Sequence, residues 1–210
     1  MPSFDMSTLT KKQSYKLMTG AIVPRPIAWV STISADGVYN LAPFSFFNGV
    51  AVMPPTIGFS IGLDGDGFKD TYNNLMVNRE CVVNVVTDPT ALAMNTSAKS
   101  FPPETDEFAQ AGVTPLASEK VAPPRVAESP IQFECTLNQT VTLQNELGRT
   151  DLMLCTIVMT HVHEDVYAGD HKIDPHAYPA VGRMGGTFYI NSDHLFNMTR
   201  YHAIEGDKDV

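Results

Sequence analysis

Three short stretches carry the side chains from which chemistry can be argued. At residues 69–71, "KDT" sits where a glycine-containing turn enters a helical pattern. The first N–H groups of a helix lack partners and carry the positive end of its dipole, so such a start can hold a phosphate. Lys69 would add a point charge and Thr71 a hydroxyl donor. Taken alone, the stretch reads as an ordinary cap, with Asp70 capping the helix and Lys69 in solvent. The second stretch, "APFSFFNGVAVMPPTIGFSI", is strand-like, yet Ser45 and Asn48 bracket Phe46 and Phe47. A half-buried strand alternates apolar and polar residues, whereas this one offers aromatics to both faces. Either protein covers both faces or one of them holds something flat. The third, "WVSTIS", puts Ser31 and Thr32 after Val30 in an otherwise apolar strand, where packing suffices as an explanation but buried hydroxyls need partners.

Other chemistries fit less well. "HVHED" sets His161 and His163 on one face of a strand beside Glu164 and Asp165, but no third ligand follows at a fixed spacing. An exposed polar strand end is the preferred reading, and no metal site is assigned. "DGDG" from Asp64 imitates the start of a calcium loop, yet its twelfth position is Leu75, where a bidentate glutamate is required. Neither GxGxxG, GxxxxGK[ST] nor GxSxG occurs. Cys81, Cys135 and Cys155 are an odd three in apolar runs and read as small buried hydrophobes.

The 210 residues are ample for a core, and 43% hydrophobic with 18% charged residues is ordinary globular composition. A net charge of −9 argues against nucleic acid as a partner, because neutralising phosphates needs surplus Lys and Arg. No apolar run reaches signal-peptide or membrane-spanning length, so the expectation is a soluble, cytoplasmic protein with no membrane partner.

The elements that position these residues are mostly strands. Thr10 and Gln13 form a capping box for a helix over 11–19, ended by Gly20. Strands follow at 27–34, then at 38–52 as one long strand after the Asp36-Gly37 turn, then at 56–62. A helix over 69–80 precedes a strand at 81–87. Residues 89–130 are a proline-rich excursion with two short helical pieces, given something to pack by Leu92, Met94, Phe101 and Phe108. Two long strands, 130–144 and 151–167, complete the pattern. Six strands joined mainly by turns, with an inserted helix, predict a mainly β, antiparallel sheet closed into a barrel. Apolar residues on both faces of "AWV" and "VVNVV" predict a covered outer surface and hence a homodimer.

In this order, "PRPIAWVSTISADGVYNLAPFSFFNGVAVMPPTIGFSI", "KDTYNNL", "CVVNVV", "DEFAQAGVTPL", "HVHEDVY" and "GRMGGTFY" resemble the flavin reductase-like family of FMN-binding split barrels, over about residues 15–190. The resemblance implies one domain built on a six-stranded antiparallel Greek-key split barrel, spanning about 21–190, usually a homodimer with FMN near the subunit interface. It carries flavin contacts onto Val30, Ser31 and Thr32, then Ser45, Phe46, Phe47 and Asn48, which would meet the isoalloxazine ring. Lys69, Asp70 and Thr71 would meet the 5′-phosphate. Arg183 also falls on a cofactor-binding segment, as do Tyr189 and Arg25 with less defined roles. The implied activity is hydride transfer from NADH or NADPH to FMN, with a monooxygenase or electron-transfer protein as partner. A flavoredoxin-like electron carrier and a non-catalytic FMN-binding protein are the alternatives. Because a flavin accepts hydride itself, no catalytic side chain is expected.

Overall fold

The computed structural model describes residues 1–63 and 69–198. The "DGDG" stretch at 64–67 lies outside the described residues. The first helix, α1 (Lys11–Ala21), carries the expected capping box: Gln13 N–H donates to Thr10 Oγ1, and Thr10 N–H donates to Gln13 Oε1 at 2.9 Å. It runs one residue past Gly20. A two-residue strand, β1 (Arg25–Pro26), leads into β2 (Ala28–Ile33) and β3 (Tyr39–Phe44). The expected long second strand is broken: β3 stops at Phe44 and a separate β4 (Phe47–Ala51) begins. After β5 (Thr56–Leu63) come α2 (Asp70–Asn78) and β6 (Glu80–Val85). The excursion holds α3 (Ala91–Thr96), α4 (Glu107–Ala111), β7 (Pro115–Leu116) and β8 (Arg125–Val126). Two fifteen-residue strands follow, β9 (Ile131–Asn145) and β10 (Gly148–Val162), then β11 (Tyr167–Gly169), β12 (Lys172–Ile173), β13 (Val181–Arg183) and β14 (Tyr189–Asn191).

Seven strands form one antiparallel sheet in the order β3-β2-β6-β9-β10-β5-β4, rather than the six expected. Its two edge strands, β3 and β4, are consecutive in the chain, joined through Ser45 and Phe46. The sheet therefore curls until its edges meet. Side chains bridge the two ends of the sheet: the Phe44 ring of β3 lies 5.5 Å from the Phe59 ring of β5, and no ladder pairs β3 with β4. The sheet is thus rolled but not closed. Pairing partners explain the broken strand, since residues up to Phe44 pair with β2 and those from Phe47 pair with β5.

Two apolar clusters result. One fills the roll, with Ala28, Val30, Phe59, Ile61 and Leu75 packed against the three cysteines, which are all buried and free. The second lies outside β2, where the excursion sets Met94, Phe108 and Val126 on Trp29 and Leu41. Phe108 and Met94 are buried as expected, whereas Leu92 is exposed. The doubly apolar strands are therefore covered by the chain's own excursion, which removes that ground for expecting a dimer. A different apolar surface remains open. On the outer face of β4, β5 and β10, Val50 Cγ2, Leu154 Cδ2 and Leu152 Cδ1 all lie within 3.4 Å of where a Cβ on Gly58 would sit, and Val50, Val52 and Met53 are exposed.

Buried polar groups pin the excursion. Trp29 Nε1 donates to Ser97 Oγ at 2.9 Å, and Val126 N–H donates to Asn84 Oδ1 at 2.8 Å. The buried Glu134 carboxylate accepts from the N–H groups of Glu119, Lys120 and Val121. His161 Nε2 lies 2.6 Å from Glu134 Oε1, so this histidine is a structural partner and not an exposed strand end. Burial pushes the Glu134 carboxyl up, but the Glu119 and Lys120 N–H groups and His161 outweigh it and hold it below the usual range. Among the described residues no group of His, Cys, Asp or Glu is arranged to hold a metal, and no helix is long and apolar enough to cross a membrane.

Candidate functional site

Lys69, not Asp70, is the residue that precedes the first turn of α2, and its side chain makes no cap hydrogen bond. Of the ordinary-cap reading of "KDT", the Asp70 cap is therefore not found, whereas Lys69 is exposed as that reading has it. Lys69 C=O accepts from Tyr72 and Asn73 N–H, so the helix is properly begun without a cap bond from the Lys69 side chain. The exposed Lys69 side chain places Nζ 5.7 Å from the centre of the Phe44 ring. Asp70 is half-buried, and its carboxyl is pushed up by burial and then by the Glu104 charge.

Thr71 is only 1% exposed, and its Oγ1 accepts from Asn40 Nδ2 at 2.9 Å. Asn40 Nδ2 also donates to Thr32 Oγ1 at 3.1 Å, and Asn74 Nδ2 donates to the same oxygen at 3.0 Å. The two threonines are thus brought together beneath the start of α2 by two asparagines that sequence reasoning missed. The signals were present: Asn40 stands directly opposite Thr32 in the β2–β3 ladder, and Asn74 is three residues after Thr71 on the same helix face.

Val30 and Ser31 are placed otherwise. The Val30 side chain belongs to the core inside the roll, and Ser31 Oγ donates to Pro124 C=O on the excursion side at 2.5 Å. Strand alternation sets Ser31 on the face opposite Thr32. The three residues therefore do not form one side-chain surface.

The turn between the sheet edges does form a wall. Phe47, opposite Phe59, packs toward the interior, whereas Phe46 is 38% exposed. Ser45 is half-buried beside them. Asn48 is exposed, and its Oδ1 accepts from Gly49 N–H at 2.9 Å. Aromatics on both faces of this stretch therefore have two destinations, one the core and the other the surface. Beyond Phe46 stands Arg25, whose Cζ is 5.9 Å from the ring centre. Arg183 lies directly opposite Arg25 in the β1–β13 ladder, with Tyr189 opposite it in turn on β14. The Arg183 guanidinium lies over the Tyr189 ring at 4.4 Å and donates to the Tyr189 hydroxyl. Cations therefore adjoin this region, Lys69 near Phe44 and Arg25 near Phe46, with Arg183 opposite Arg25 in the ladder.

Behind α2, Glu107 of α4 is buried, and its Oε2 accepts from Leu41 N–H of edge strand β3 at 2.5 Å. Burial pushes its carboxyl up to about 7 against the opposing pull of that hydrogen bond, with the Asp70 and Asp106 charges adding to the rise. A helix start led by a lysine that does not cap it suits a phosphate, and an exposed phenylalanine beside an arginine suits a flat anionic molecule. A site built this way can hold and orient such a ligand; no side chain in it is set up as a nucleophile.

Comparison with known proteins bears on the fold and the family. Nitrilotriacetate monooxygenase component B from Bacillus cereus superposes with a TM-score of 0.90 at 34% identity, over 94% of this chain and 98% of that one. The 2-nitrobenzoate 2-nitroreductase of Pseudomonas fluorescens gives a TM-score of 0.87 at 26% identity, over 97% and 98% of the two chains. A split barrel domain protein from Shewanella frigidimarina shares the fold at 20% identity, with a TM-score of 0.80 over 95% of this chain and 100% of that one. Residues 19–179 match the family model of the flavin reductase like domain, a span that takes in the wall, the start of α2 and the excursion. This chain belongs to the flavin reductase-like domain family.

Proposed function

We propose that the protein binds FMN and passes hydride to it from NADH or NADPH. The observation that carries this reading is the N-terminus of α2, where Lys69 leads the helix without capping it, together with the exposed Phe46. In it, Lys69 and the first N–H groups of α2 hold the 5′-phosphate, with Asp70 alongside, while Thr71 braces the turn from below through Asn40. Ser45, Phe46, Phe47 and Asn48 make the ring wall, Thr32 supports it through the asparagine network, and Val30 and Ser31 contribute packing. Bound flavin supplies the hydride acceptor; the chain's own work is to fix it and leave one face open. The likeness to a monooxygenase component B supports a role in providing reduced flavin to a monooxygenase.

The test is spectroscopic. Purified protein given FMN and NADH or NADPH is expected to oxidise the nucleotide at a rate that saturates with FMN. A yellow protein whose bound flavin is reduced only slowly, without turnover of added FMN, would instead mark a flavoredoxin-like carrier.

The apolar surface around Val50, Leu152 and Leu154 supports a homodimer, its occupant being the same surface of a second copy across a two-fold axis. Light scattering at micromolar concentration is expected to give the mass of two chains, and Val50→Lys to shift it toward one. A monomeric wild type would contradict this.

A further inference from the structure

Arg25, Arg183 and Tyr189 form one row across the β1–β13–β14 sheet, and directly opposed residues project from the same face. Two arginines opposite one another repel, and a chain of net charge −9 has carboxylates to spare. Yet among the described residues neither arginine has an acidic partner within ion-pair distance. Among the described residues Arg25 donates only to carbonyls, those of Thr19 at 2.7 Å, Ile22 at 2.6 Å and Met184 at 3.1 Å, and its buried Nε meets no partner there. Arg183 donates to Gly186 C=O at 2.5 Å and to Tyr189. Neutral oxygens orient these guanidinium groups without cancelling their charge.

The hairpin that presents Arg183 is held firmly. A Cβ on Gly185 would lie 3.2 Å from Gly20 Cα, so backbone meets backbone between the 184–188 turn and the end of α1, with Arg25 bonded to both. On the far side of Tyr189 a cavity of about 510 Å³ opens between α3 and β14, in the size range of small-molecule sites. Leu92, Met94, Tyr189 and Ile190 line it with apolar surface, and Asp88 and Asn95 with polar groups. This also accounts for the exposed Leu92, which the excursion's own packing leaves unused.

We propose that the adenosine-diphosphate half of a nicotinamide dinucleotide binds here, its diphosphate on Arg183 and its adenosine in the cavity beyond Tyr189. The inference rests on the reductase reading for its ligand. Phe46 would then stand between two phosphate sites, the flavin's at Lys69 and the dinucleotide's at Arg183. A guanidinium backed by a second, buried one suits a diphosphate, and Tyr189 borders both the charge and the cavity. Asp88 gives the cavity a direction of choice. A carboxylate accepts from ribose hydroxyls and repels a 2′-phosphate, so the cavity favours NADH over NADPH.

Calorimetric titration with ADP-ribose tests this without turnover, on the protein with and without FMN, so that loss of the flavin reading leaves the test standing. Saturable binding is expected, weakened about tenfold or more in Arg183→Gln and partly restored in Arg183→Lys. The 2′-phosphorylated ADP-ribose should bind wild type more weakly, with the difference narrowed in Asp88→Asn. An unchanged melting temperature and circular-dichroism spectrum in Arg183→Gln would show the variant intact. No ADP-ribose binding to wild type, equal binding to Arg183→Gln, or a loss in that variant falling on FMN instead, would overturn the proposal.

Discussion

Replacing Lys69 by alanine is expected to weaken FMN binding about ten- to a hundredfold and to leave riboflavin binding nearly unchanged. The Lys69 side chain makes no cap hydrogen bond at the α2 start, so a phosphate there meets the helix end and the Lys69 ammonium together. A hydrogen bond to a charged acceptor is worth about 1.5–3 kcal/mol, and about 1.4 kcal/mol is a factor of ten. Backbone donors remain in the variant, which bounds the loss from above. Thr71→Ala is expected to act differently from a simple ligand deletion. Its hydroxyl is buried on Asn40, so removal strips an acceptor from the Asn40–Thr32–Asn74 network and weakens FMN and riboflavin alike. Dissociation constants for both flavins on both variants decide the matter. Equal losses of FMN and riboflavin in Lys69→Ala would remove the phosphate from α2.

Glu107→Gln is expected to stabilise the protein at pH 8 and to do little at pH 4.5. The Glu107 carboxyl is pushed up to about 7 in the folded chain, above its value when unfolded, so the native state holds the extra proton between the two. Stability contributed by that proton is present at low pH and is lost as pH rises through about 7. Glutamine keeps the acceptor for Leu41 N–H and carries no charge to desolvate beside Asp70. The difference should approach ~3 kcal/mol above pH 8, or roughly 5–10 °C in melting temperature for a chain of this size. Melting curves from pH 4.5 to 8.5 on both proteins check it. A gap that stays constant with pH would mean that Glu107 does not titrate there.

Local chemistry was legible in the sequence where it is decided locally. The Thr10–Gln13 box, the Asp36-Gly37 turn and the strands around Trp29, Phe59 and Val83 lie close to where residue type and periodicity place them. The break at Ser45 and Phe46 was not legible, because the run stays apolar through it. What ends the strand is a change of partner, from β2 next to one edge to β5 next to the other, and partner choice is long-range. The β1–β13–β14 sheet was hidden for a related reason: strands of two or three residues have no periodicity to read. Within the site, the helix start and the aromatic wall were legible from residue type alone. The grouping of Val30, Ser31 and Thr32 was not a property of one surface, and alternation along the strand already separates Ser31 from Thr32. The asparagines were silent because neither Asn40 nor Asn74 is unusual until the hairpin and helix bring both to Thr32.

The most direct test of the account is a titration of flavin-free wild-type protein with FMN, followed by flavin fluorescence and the visible absorption band. The account predicts saturable binding at one FMN per chain, with riboflavin bound more weakly because it lacks the phosphate that α2 and Lys69 receive. Fluorescence that rises in proportion to added FMN, with no saturable component, would contradict it.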